Sequence, residues 1–127
     1  MTPEIEYFNG CLNSLFETAA GDGCVIISPH VSLDGEGTVF RLYRLDSHTC
    51  RITTDKSFAE WYGYSSTGYE ERYAALTDAL CKRCGLEWDA ETLTLSITFR
   101  RNQYGLAGAL MRLENAVLFF GGLIFSD

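Results

Sequence analysis

The chain has 127 residues, 46% of them hydrophobic, and a formal net charge of −7. This suffices for one domain spanning 1–127, is too short for two ordinary ones, and holds no apolar run near the roughly 20 residues a membrane-spanning helix needs. The charge is uneven: the forty residues before Arg41 carry Glu4, Glu6, Glu17, Asp22, Asp34 and Glu36 and no base, whereas the remainder has eleven acids against ten bases. Binding phosphates requires Lys and Arg to displace condensed counterions, so an anionic end points to a basic protein surface or a metal ion rather than to nucleic acid.

Thr2 with Pro3 has the pattern of a helix start, and Ile5, Phe8, Leu12, Leu15 and Phe16 follow at helical spacing. The N-terminus is acidic where a signal peptide would be basic, so a cytoplasmic location is expected. Five cysteines in such a chain then read as reduced, packed thiols rather than a disulfide framework. Cys24–Ser28 is a short β-rich run stopped by Pro29, and Thr38–Leu45 and Thr49–Thr54 form a hairpin around Asp46-Ser47-His48. Antiparallel partners keep a constant index sum, which sets Leu42 opposite Ile52 and Val39 opposite Asp55.

A short helix beginning near Phe58 follows. Thr67 and Glu70 then have capping-box spacing for a longer one, with Tyr69, Tyr73, Leu76 and Leu80 on its apolar face and Gly85 to end it. Thr92–Phe99 alternates, placing Leu93, Leu95, Ile97 and Phe99 on one face of a strand. Asn102 is a candidate cap for a last helix carrying Leu106, Leu110, Leu113 and Val117, after which Leu118–Phe125 is apolar around Gly121-Gly122 and reads as core or as the face of a homodimer. The order α-β-β-β-α-α-β-α buries its stripes most simply as an α+β two-layer sandwich, a mainly antiparallel sheet with helices on one face.

Ile26-Ile27-Ser28-Pro29, the Asp34-Gly35 turn, Phe40-Arg41-Leu42-Tyr43, Thr53-Thr54-Asp55, and the helix from Tyr69 to Gly85-Leu86 together resemble domain-of-unknown-function family 1828, small proteins of bacteria and their phages. Ser28-Pro29 stands where that family has Thr-Pro, and the glycine it carries after Thr-Asp is replaced by Lys56-Ser57. The resemblance implies a fold and a mobile-element context, and no activity.

Chemistry has few places to sit. Asp34 and Glu36 enter the second strand at the end where Asp55 leaves the third, beside Lys56. Such a group would offer oxygen ligands to a divalent metal and a cation for developing negative charge, the basis of an alternative reading as a metal-dependent hydrolase or nuclease. The arrangement also resembles the core of PD-(D/E)XK nucleases, but Asp55 and Lys56 are adjacent rather than two residues apart and so point to opposite faces. The simpler reading is a solvated turn at Asp34–Gly37, with Asp55 capping the next helix. Cys81-Lys82-Arg83-Cys84 has zinc or redox spacing but lacks a second cysteine pair, and a helix C-terminus disfavours a thiolate. Its cysteines read as packing, with Lys82 and Arg83 complementing the helix end. His30 and His48 stand alone among polar neighbours, and neither a Gly-x-Ser-x-Gly elbow nor a phosphate loop is present.

The aromatic run around Trp61, Tyr62, Tyr64 and Tyr69 joins amphipathic rings to glycines and small polar residues, a composition suited to protein contact. The expectation is therefore a non-catalytic protein-binding module needing no metal or cofactor. Glu4, Glu6 and Glu17 would face a basic partner, and Trp61, Tyr62, Tyr64 and Tyr69 would anchor it. The implied context adds that such a protein would act as an antagonist of a host nucleic-acid-binding defence protein.

Overall fold

The computed structural model describes residues 14, 16, 17, 23–32 and 37–123. Five strands, β1 (Cys24–Ser32), β2 (Gly37–Arg44), β3 (Thr49–Thr54), β4 (Glu87–Asp89) and β5 (Thr94–Arg100), form one antiparallel sheet in the order β1-β2-β3-β5-β4. Three helices, α1 (Lys56–Ser65), α2 (Glu70–Cys84) and α3 (Gln103–Leu123), cover one face, which makes an α+β two-layer sandwich. Ser14, Phe16 and Glu17 are also helical, and Phe16 is buried in the same core.

Alternation dictates which face is buried. Phe40 and Leu42 of β2, Cys50 and Ile52 of β3, and Leu95, Ile97 and Phe99 of β5 point into the core, where they meet Phe58 and Tyr62 of α1 and Leu106, Ala109, Leu113, Val117 and Phe120 of α3. The hairpin register is the expected one, with Leu42 opposite Ile52. Asn102 caps α3, its Oδ1 accepting the Gly105 N–H at 2.7 Å. Gly85 closes α2 at φ +69°, a left-handed conformation that only glycine adopts cheaply, and lets the Leu86 N–H reach the Cys81 carbonyl.

Several local expectations are corrected. β1 continues past Pro29 to Ser32 with a register shift between Ser28 and Ser32, which an edge strand permits because one side of it needs no ladder partner. Leu93 is not in a strand: it sits in the β4–β5 turn at φ +56°, and β5 begins at Thr94. Tyr69, not Thr67, precedes α2 as its cap residue without a side-chain cap, while Thr67 Oγ1 donates back to the Gly63 carbonyl of α1 at 2.9 Å. The fully buried positions of α2 are Thr77 and Cys81 rather than Leu76 and Leu80, and Tyr69 is exposed. The last helix does not give way to a separate apolar segment after Val117: α3 runs on to Leu123.

Candidate functional site

The aromatic segment divides into two roles. Tyr62 lies wholly inside, with ring centroids 4.8 Å from Trp88, 5.5 Å from Tyr73 and 5.7 Å from Phe120. Its hydroxyl is 2.8 Å from Thr77 Oγ1, which in turn donates to the Tyr73 carbonyl at 2.7 Å, so the buried phenol has a partner, and burial pushes its pKa up and keeps it protonated. Trp61 is half-buried and packs on Phe58 and Phe120. Tyr62 is thus a core residue and not part of a contact surface, since a ring enclosed on all sides presents nothing to a partner.

Tyr64 and Tyr69 behave oppositely. They flank the α1–α2 turn with 86% and 61% of their surface exposed. The backbone beneath them is tightly bonded: Ser66 N–H donates to the Tyr62 carbonyl at 2.9 Å and Tyr69 N–H to the Ser66 carbonyl at 2.8 Å. Gly68, at φ +87°, turns its N–H onto a Glu70 carboxylate oxygen 3.1 Å away, and that hydrogen bond holds the Glu70 carboxyl below the usual range. Two large amphipathic side chains therefore stand on an ordered turn, which lowers the entropy cost of using them in a contact. Glu70 and Glu71 follow the turn directly, while Glu60 of α1 is paired with Lys56 and Arg72 comes next on α2, so the local excess of negative charge is the Glu70-Glu71 pair.

The remaining expected site residues are scattered or committed. Glu4, Glu6, Asp34 and Glu36 lie outside the described residues. Glu17 is held by Arg101 at 2.6 Å and Arg44 at 3.1 Å, and these cations pull its carboxyl below the usual range. Asp55 accepts from Arg41 Nε at 3.1 Å, and Lys56 pairs with Glu60 along α1 at 3.6 Å. As the residue preceding α1, Asp55 has the cap position but gives its side chain to Arg41 instead of the helix. Among the described residues no group of three or more His, Cys, Asp or Glu side chains is placed to hold a metal ion.

No family model, curated protein or solved structure matches this chain. No described helix is long and apolar enough to cross a membrane. Cys50, Cys81 and Cys84 are free thiols, and burial pushes the thiols of Cys24, Cys50 and Cys81 up, away from the reactive thiolate. Within Leu118–Phe125 the three side chains described divide: Phe120 is core, Leu118 and Phe119 are exposed on α3, and residues 124 and 125 lie outside the described residues.

Some features were missed. The Arg41–Asp55 pair was within reach of the hairpin register, because Arg41 faces Thr53 and Asp55 is then its diagonal neighbour. The Arg51–Glu87 ion pair was not, since β4 is a three-residue strand with no periodicity to reveal it.

Proposed function

We propose that this protein is a non-catalytic protein-binding module that anchors a basic partner surface on the α1–α2 turn. The observation carrying this reading is the presence of Tyr64 and Tyr69, both exposed, on a hydrogen-bonded turn that leads into Glu70 and Glu71. Aromatic faces attract cations and supply contact area at low entropy cost, and Glu70 and Glu71 add the matching charge. With the mobile-element context implied by the family resemblance, the partner class we propose is a host defence protein whose nucleic-acid groove is basic.

The test compares the wild type with a Tyr64→Ala/Tyr69→Ala variant as affinity baits in bacterial lysate, with mass spectrometry of what is retained. The reading expects basic proteins retained by the wild type and lost both in the variant and at raised salt. Retention of the same proteins by both baits would reject the turn as the anchor.

A further inference from the structure

The Cys81-Lys82-Arg83-Cys84 motif takes no part in the proposed contact, yet the fold gives it a consequence. Cys81 is buried and Cys84 half-buried, which leaves Lys82 and Arg83 outside. There they meet a cation from another element: the Arg112 guanidinium of α3 lies beside Gly85, its Nη1 3.7 Å from where a Cβ on that residue would sit. Lys82, Arg83, Cys84, Gly85, Arg112 and Asn115 line a surface concavity of about 470 Å³ with three cations and no carboxylate.

This grouping is unusual for a chain of net charge −7. Elsewhere Arg41, Arg44, Arg51 and Arg101 are each paired with a carboxylate, while Arg72 and Arg100, which have no ion pair among the described residues, lie outside the concavity. Lys82 has Asp78 at 3.0 Å along the helix, but no ion pair among the described residues engages Arg83 or Arg112. The end of α2 is the negative end of its dipole, which Lys82 and Arg83 complement and which opposes an anion there, so the cation beyond that compensation is the arginine delivered by α3. Guanidinium groups present forked donors that match tetrahedral oxyanions, and the Asn115 amide adds a neutral donor. At physiological salt the Debye length is about 8 Å, so the acidic remainder of the surface does not cancel this local field.

We infer that the concavity between the end of α2 and the middle of α3 is a binding site for a phosphate-class oxyanion, held by Arg83, Arg112 and Lys82. The ligand is a free phosphate ion or the phosphate group of a small ester, which share this chemistry.

The experiment titrates ¹⁵N-labelled full-length protein with inorganic phosphate, and separately with phenyl phosphate, at ionic strength held constant with chloride. The amide of Gly85 and the side-chain Nε–H signals of Arg83 and Arg112 should shift and saturate. Arg83→Gln and Arg112→Gln should each weaken binding about tenfold, the loss expected for one charge-assisted bond, and the double variant should abolish it. Arg72→Gln, on α2 but outside the concavity, should leave it unchanged. Tighter binding of phenyl phosphate would identify an ester as the ligand, and equal or weaker binding the free ion. Shifts that do not saturate, that chloride reproduces, or that persist in the double variant would overturn the assignment. All these side chains are exposed, so the variants fold, and the outcome is independent of the α1–α2 turn.

Discussion

Truncating Tyr62 separates the core from the contact surface most sharply. The ring is 5% exposed and meets Phe58, Tyr73, Trp88 and Phe120, so Tyr62→Ala removes a buried aromatic from the centre of the aromatic cluster. A large-to-small change of this kind costs about 3–5 kcal/mol, a sizeable part of a domain's net stability. Tyr62→Phe keeps the ring and deletes only the hydroxyl. Because Thr77 Oγ1 still donates to the Tyr73 carbonyl, the loss is confined to one hydrogen bond, about 1 kcal/mol. That corresponds to a fall of about 3–5 °C in melting temperature for a domain of this size. A double-mutant cycle with Thr77→Val isolates the pair, with an expected coupling of about 1 kcal/mol. Urea denaturation of the four proteins supplies the free energies, and equal slopes across the set show that the denatured state is unchanged. A Tyr62→Ala protein within about 0.5 kcal/mol of wild type would refute the placement of this side chain in the core.

Other outcomes follow from the same geometry. Gly105→Ala drives a Cβ into the Arg100 carbonyl where α3 leaves β5, and is expected to cost about 2 kcal/mol, whereas Gly108→Ala meets open space and should be neutral or stabilising in thermal unfolding. Asn102→Ala removes the α3 cap and should cost about 1 kcal/mol in the same assay. The carboxyls of Glu17, Asp46, Glu70 and Asp89 sit below their usual values, held by Arg101 and by the backbone N–H groups of His48, Gly68 and Glu91 respectively. A lowered folded-state pKa contributes stability above the unfolded value and loses it as pH falls through the folded one, so the urea midpoint should drop on acidification below about pH 4. Glu70→Gln should flatten that drop. Native Cys50 and Cys81 should label slowly with an alkylating reagent and rapidly in urea, and fast native labelling would show that these thiols are not enclosed.

The strands were legible because period-two alternation survives in β2, β3 and β5, where one face is buried and the other, apart from the buried Ser96 of β5, is not. The exceptions have physical causes. Leu93 fits the alternation but occupies a left-handed turn, a conformation its side chain does not advertise. Trp88 joins Tyr62 and the edge of the sheet from a strand of only three residues, too short to carry a pattern. On α2 the hydrophobic pattern favoured Leu76 and Leu80, whereas burial went to Thr77 because the Tyr62 hydroxyl satisfies it across the helix pair, a long-range pairing invisible in either local sequence. The candidate anchors were legible only as a group. Composition marked the aromatic run, but the helical phase of α1 turns Tyr62 inward and Tyr64, two residues on, outward, while Tyr69 lies beyond the helix end. The cation cluster was half legible: Lys82 and Arg83 are adjacent in the chain, and Arg112 reaches them only through the packing of α3 on α2.

The central claim, that the ordered acidic turn carrying Tyr64 and Tyr69 anchors a basic protein partner, is tested most directly by measuring partner association for the Tyr64→Ala/Tyr69→Ala variant beside its melting temperature. The account predicts stability within about 0.5 kcal/mol of wild type, because both rings are exposed, together with loss of the salt-sensitive association. Undiminished association by a folded double variant would contradict it.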